Sequence, residues 1–336
     1  MREVERKEFS ESKTLISPLP LPCTMSDLSV NIAGLRMKNP LMLASGIMDE
    51  TGESMLMAIK KGAGAVVTKS VGLEANEGHR NPTAFEIGDG LGLLNAMGLP
   101  NPGIVDYERE VKIALTGGVP VIGSIFGANE NDFSYLAGRM EDYGASAVEL
   151  NLSCPHARGL GMDIGADPKE VKRIVSAVSS SVSVPVFAKL TPNVPDIASI
   201  AISAVSAGAK GVVAINTVKG MLISPEVRRP VLGNGVGGLS GPAILPVGIR
   251  SVFEIRERFD MENIDAVIIG VGGISTASDA LQYIMAGADA VQIGSAIRWK
   301  GPAVFRAVSD GIKAFMEREG FSRIEDMKGI AQGVRE

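Results

Sequence analysis

A cysteine flanked by amide and hydroxyl side chains opens the chemistry of this chain. The run Glu149-Leu150-Asn151-Leu152-Ser153-Cys154-Pro155-His156 follows the apolar residues 145–148. An apolar stretch that turns polar in this way places the thiol where a buried parallel strand ends. Ligands of α/β folds bind at the carboxyl ends of strands, so Cys154 can face a substrate there beside Asn151 and Ser153. Position, more than residue type, makes Cys154 a catalytic candidate, since free cysteine is as often a small buried apolar residue.

Other short apolar runs end in the same manner. Ser45-Gly46, Lys69-Ser70 and Ser124 close the first three, Lys189 and Asn216-Thr217 the middle ones, and Gly272-Gly273 and Gly294-Ser295 the last two. Each alone reads as a turn or cap residue, but a set of buried lysines and asparagines is costly unless something pairs with them, so together they point to a binding site. Val271-Gly272-Gly273-Ile274-Ser275-Thr276 and Ile293-Gly294-Ser295-Ala296 suit a phosphate group. Glycines let backbone amides approach an anion, and Ser275 or Thr276 can cap a helix whose N-terminus faces it. A fixed cation at Lys189 suits a ligand that gains negative charge, such as a flavin on reduction, and equally a Schiff-base lysine. Asn95, Asn151 and Asn216 offer paired amide donors and acceptors for a planar heterocycle with carbonyl and ring NH groups.

Two further patterns carry less. Gly233-Asn234-Gly235-Val236-Gly237-Gly238 has the spacing of a dinucleotide-binding turn. It lacks the strand before and the helix after that such a turn requires, and is expected to be a mobile loop. His79 and His156 are too far apart for a helical metal pair and no acidic cluster joins them, so no metal site is expected.

The elements that must position these residues follow from a repeated unit, a helical stretch ending in Gly-Ala before a short apolar strand. It recurs at Gly62-Ala63, Gly144-Ala145, Gly208-Ala209 and Gly287-Ala288. Glycine closes each helix in the left-handed region and lets the chain turn tightly. Strands are expected at residues 40–44, 65–69, 119–125, 147–151, 186–190, 212–216, 266–271 and 290–294. Continuous apolar runs imply burial on both faces, and alternation with amphipathic helices implies parallel crossovers. The fold class is therefore α/β, a (β/α)8 TIM barrel, with a doubly wound open sheet as the weaker option. Pro120 and Pro185 stand at strand starts, where a missing donor is tolerated. Two long connections, residues 71–101 and 217–241, are expected as elaborated loops over the carboxyl-end face. Residues 1–24, polar and then proline-rich, are expected as an extension, partly disordered or draped on the surface, before a single barrel domain spanning 25–336.

Bulk properties exclude several classes. At 336 residues, 45% hydrophobic and 21% charged, the chain can bury one large core. A net charge of -5 argues against a surface that coats nucleic acid. Two cysteines, Cys23 and Cys154, form no disulfide framework and cannot supply an iron-sulfur cluster or a Cys-rich zinc site, so a reducing cytoplasm fits. No apolar run reaches membrane-spanning length, and residues 1–14 lack the pattern of an export signal.

Taken in order, Asn95-Ala96-Met97-Gly98-Leu99-Pro100-Asn101, Asn151-Leu152-Ser153-Cys154-Pro155, Asn216-Thr217-Val218-Lys219-Gly220-Met221, Gly237-Gly238-Leu239-Ser240-Gly241-Pro242 and the two terminal glycine stretches resemble the class 1 dihydroorotate dehydrogenases over residues 26–314. The third and fourth stretches look most like the class 1B catalytic subunit. The resemblance implies a barrel with FMN at its top that oxidises dihydroorotate to orotate in pyrimidine synthesis. Cys154 would be the general base, removing a proton from C5 while C6 delivers hydride to flavin N5. Its thiol must ionise near neutral pH, below the usual value of about 8.5, which nearby positive charge favours.

By the same resemblance Lys69, Asn95, Met97, Gly98, Leu99, Asn151, Asn216 and Thr217 would hold the pyrimidine. The FMN cradle would comprise Ser45, Lys69, Ser70, Ser124 and Asn151 from the first strands, with Lys189 stabilising the flavin. Ile215, Gly241, Gly272, Gly273, Gly294 and Ser295 would complete it. Two positions depart from the family pattern: Ser124 stands where many members have asparagine, and His156 where many have asparagine after Cys-Pro. The stretches around Cys154-Pro155-His156 and Phe187-Ala188-Lys189-Leu190-Thr191-Pro192-Asn193-Val194 are also similar to the pyrimidine-reducing domain of dihydropyrimidine dehydrogenase, whose iron-sulfur domains this chain lacks. A non-catalytic phosphate-binding barrel is the alternative from another class. The class 1B resemblance further implies a homodimeric core and a partner subunit carrying FAD and an iron-sulfur cluster, with NAD as final acceptor.

Overall fold

The structure is a computed structural model that describes residues 26–153 and 164–333. Cys154, Pro155 and His156, and the segment 1–24 expected as an extension, lie outside the described residues.

Eight short strands form a closed parallel barrel in simple sequential order. They are Leu41–Leu43, Ala65–Val67, Val121–Ile125, Ala147–Asn151, Val186–Leu190, Gly211–Ala214, Val267–Val271 and Ala290–Ile293. Nearly every residue in them is buried, as apolar runs packed inside by the barrel and outside by helices require. The eight expected strands are all present, with ends that move by one or two residues. Pro120 and Pro185 immediately precede the third and fifth strands, where their carbonyls accept from Val66 (3.1 Å) and Val148 (2.9 Å).

The Gly-Ala units behave as their sequence demands: Gly62, Gly144, Gly208 and Gly287 have φ between 96 and 118°. Side-chain caps start several of the helices between the strands. Asn129, Asp167, Asp196 and Thr276 each accept a backbone amide of the first turn. A hairpin, Val30–Ile32 with Leu35–Met37, precedes the first barrel strand. No helix among the described residues is long and apolar enough to cross a membrane.

The two long connections do more than loop over the mouth. They pair with each other in a four-stranded antiparallel sheet ordered Val218–Gly220, Gly237–Ser240, Gly92–Asn95, Ala84–Ile87. The register Gly238↔Asn95, Leu239↔Leu94, Ser240↔Leu93 joins segments more than a hundred residues apart. Here the glycine-rich stretch at 233–238 departs from its expectation as a loop, because its last two glycines belong to a strand. They are glycines for lack of room: a Cβ on Gly237 would lie 2.5 Å from the Asn95 carbonyl, and one on Gly238 2.1 Å from Thr217 Oγ1.

Candidate active site

The strand ends and the covering sheet enclose a cavity of about 530 Å³, within the size range of small-molecule sites. Ser45, Lys69, Ser70, Asn151, Lys189, Ile215, Asn216, Thr217, Gly272, Gly273, Gly294 and Ser295 line it from the barrel, and Asn95, Met97, Gly98, Leu99 and Gly241 from above. Ser124 is not in the wall. It is fully buried beneath it, 2.7 Å from Ser70 Oγ. Ser275 and Thr276 are spent on their own helix: Ser275 donates to Asp279, and Thr276 forms a capping box with it.

One hydrogen-bonded chain ties the rim together. Asn216 Nδ2 donates to Asn151 Oδ1 (3.2 Å), Asn151 Nδ2 to Ser70 Oγ (3.2 Å), and Ser70 Oγ lies 3.2 Å from Ser45 Oγ. Ser45 donates onward to Asp49 Oδ2 at 3.3 Å, and the Gly46 amide donates to the same oxygen. Asp49 is fully buried, and its Oδ1 has no partner among the described residues. Burial pushes this carboxyl above its ordinary range, opposed by the Lys69 charge and by the Gly46 amide. The Asp49 carbonyl accepts from the Tyr107 hydroxyl and from the Lys69 amide (3.2 Å), so one residue holds the ends of the first two strands in register. Burial likewise raises the Tyr107 phenol, which stays a donor.

Beneath the cavity, Lys189 Nζ donates to Glu149 Oε1 (3.1 Å) and to Gln292 Oε1 (3.2 Å), and Gln292 Nε2 donates to Glu149 Oε2 (2.7 Å). Glu149 and Gln292 escaped the sequence reading. Their signal is a buried polar residue between apolar neighbours of a strand, which must find a partner. Asn193 fixes the segment after the sixth strand, donating to the Thr217 carbonyl (3.1 Å) and accepting from the Lys219 amide (2.9 Å).

The covering strand is equally built. Asn95 Nδ2 donates to the Gly238 carbonyl at 3.3 Å, and Asn76 Nδ2 holds the carbonyls of Gly98 (2.8 Å) and Leu99 (3.2 Å). Gly98 has φ +76°, and a Cβ there would strike the His79 amide at 2.6 Å. His79 therefore packs against this segment, and among the described residues no group of His, Cys, Asp or Glu is placed to hold a metal.

The donor set fits a planar ligand that ends in phosphate. Gly272 (φ +130°) and Gly273 (φ +75°) present bare backbone, and a Cβ on Gly273 would meet Leu245 at 2.8 Å. Ser295 stands beside them, Ala44, Ile244 and Val271 give apolar walls, and Lys69 and Lys189 supply positive charge.

Comparison with known proteins decides the family. The model of the dihydroorotate dehydrogenase family matches residues 27–316. The chain belongs to that family. Among its relatives in it, a protein of Thermoplasma acidophilum named dihydroorotate dehydrogenase B (NAD(+)), catalytic subunit, is 52% identical over 307 residues, 91% of this chain and 99% of the relative. Proteins of the same name from Pyrococcus furiosus and Methanocaldococcus jannaschii are 46% and 48% identical, covering 91% and 90% of this chain and 99% and 98% of theirs. The class 1B resemblance agrees with those names. A DHODH from Eimeria tenella, crystallised with ferulenol, shares the fold with a TM-score of 0.78 at 24% identity, covering 94% of this chain and 91% of that one.

Proposed function

We propose that this protein oxidises dihydroorotate to orotate in pyrimidine synthesis, with FMN in the cavity. The observation that carries this reading is the rim chain Asn216–Asn151–Ser70, which lies with Lys69 and Lys189 between a glycine cradle and a covering strand bearing Asn95. Three amide side chains in one cavity match the alternating carbonyl and NH edge of a pyrimidine ring. Lys69 suits the substrate carboxylate, and Asn95, Met97, Gly98 and Leu99 close over the ring. The bare backbone at Gly272, Gly273 and Gly294, with Ser295, would take the FMN phosphate. Ser45, Ser70, Ile215, Gly241 and Lys189 would line its ring, with Ser124 supporting Ser70 from behind.

Cys154 is the proposed base. Its thiolate removes a proton from C5 of the bound ring, held in place by Asn151 and Asn216. Bound FMN supplies the acceptor for the hydride that leaves C6. Lys69 and Lys189 provide the positive charge that favours anionic groups inside the cavity.

The relatives named as NAD(+)-linked catalytic subunits support a matching assembly. It comprises a homodimeric core with a partner subunit that carries FAD and an iron-sulfur cluster. Purified native material with full fumarate-dependent but no NAD-linked activity would remove the partner from this picture. The reaction itself is tested by anaerobic mixing of the yellow holoprotein with substrate. Dihydroorotate should bleach the flavin band. Bleaching by dihydrouracil but not dihydroorotate would assign the site to uracil-type rings, and a protein unable to take up FMN would be a non-catalytic barrel.

A further inference from the structure

The triad beneath the cavity has a function beyond filling the barrel. Glu149 lies two residues before Asn151 on the fourth strand and so points to the same side, into the barrel. Lys189 is the register partner of Asn151 on the fifth strand, and Gln292 reaches across from the eighth. Every polar atom is matched: one Glu149 oxygen takes Lys189 and the other takes Gln292, while the Gln292 carbonyl takes a second Lys189 proton. The side chains of Lys189 and Glu149 are 7% and 1% exposed, so solvent screens the pair weakly. Lys189 and Gln292 border the cavity, whereas Glu149 does not. The ammonium thus turns one remaining proton toward the ligand, and a carboxylate behind it offsets much of its charge.

We propose that Glu149 is a positioning residue that acts through Lys189. It aims the ammonium at the flavin and, by offsetting its charge, sets the reduction potential of that flavin. The proposal rests on FMN binding beside Lys189, as proposed above. A cation that faces a group gaining electrons raises its potential, and a paired carboxylate moderates the rise.

The test is the midpoint potential of bound flavin, measured on holoprotein by anaerobic dye-referenced titration after FMN content is determined. Glu149→Gln should favour the reduced flavin about tenfold or more, about 30 mV upward for a two-electron couple. Glu149→Asp, which keeps the charge, should restore most of the wild-type value. Gln292→Glu, which adds a second carboxylate, should move the potential downward and serves as the charge test should Glu149→Gln fail to fold. An unchanged or lowered potential in Glu149→Gln, equal shifts in Gln and Asp variants, or no downward shift in Gln292→Glu would overturn the proposal. Wild-type protein that binds no FMN would instead overturn the functional reading beneath it.

Discussion

Two buried ion pairs sit at opposite ends of the barrel and are finished differently. At the foot, Arg256 donates to the Gly287 carbonyl and to Asp289 Oδ2, each at 3.2 Å. Asp289 also accepts the Ile268 amide (2.8 Å) and Lys328 Nζ (2.7 Å). A helix, the starts of two strands and the C-terminal segment thereby converge on one carboxylate. Near the mouth, Lys189 and Glu149 are more deeply buried, at 7% and 1% against 11% and 16% side-chain exposure, yet their triad borders a cavity. Both pairs bear a desolvation cost. The foot pair spends its hydrogen bonds on joining the chain to itself, while the mouth pair keeps a donor for a ligand. Burial of charge alone does not mark a functional site; what the remaining donors face does.

The largest effect is expected at the mouth, in chemistry. Cys154→Ser should lower dihydroorotate turnover by about 10² to 10⁴, the usual contribution of a positioned base, with FMN content and melting temperature unchanged. A loss of less than tenfold in steady-state assays would remove the thiol from its proposed role.

The foot should answer in stability instead. Arg256→Met leaves Asp289 with Lys328 as its remaining cation and should cost about 3 kcal/mol in urea unfolding followed by circular dichroism. Turnover per folded molecule should stay at the wild-type level, and a parallel fall in both would blur the contrast.

Asp49 lies between these extremes, since it serves the rim but bears a cost in stability. Its carboxyl is raised by burial, so the folded protein binds this proton more tightly than the unfolded chain. The stability it contributes is complete below the unfolded value, about 3.9, and is lost as pH rises through the folded one. Lys69, which opposes the rise, and Glu50, which adds to it, are the ionisable groups that act on it. Asp49→Asn cannot ionise, so its melting temperature should gain on the wild type as pH rises from acid to neutral. A constant difference across that range would show that Asp49 ionises without penalty.

The smallest effect belongs to the latch that joins cover and barrel. Glu86, on the covering sheet, accepts from Trp299 Nε1 at 2.7 Å, and Trp299 lies on the short helix just after Gly294 and Ser295. Glu86→Ala should speed FMN release a few-fold, as the loss of about 1 kcal/mol implies. Stopped-flow release unchanged from wild type would uncouple the sheet from the cradle.

Much of this was legible in the sequence for local reasons. Glycines at the helix ends and unbroken apolar runs located the strands, and a polar residue after each run located the rim. What escaped depends on contacts between distant segments. The pairing of Gly238 with Asn95 follows from two long connections meeting above the mouth, and no short-range pattern encodes it. Glu149 and Gln292 become partners only when closure of the barrel, eighth strand against first, sets the fourth strand opposite the eighth across the interior. Ser124 was expected in the cradle through the family resemblance, but it is buried beneath the wall and reaches Ser70 rather than the cavity.

The contrast between mouth and foot is tested most directly by FMN stoichiometry in Lys189→Met and Arg256→Met, measured on protein of matched folded fraction. Arg256→Met should retain the wild-type FMN content and Lys189→Met should lose most of it. Equal retention, or equal loss, in the two variants would contradict the assignment of the mouth pair to the ligand and the foot pair to the fold.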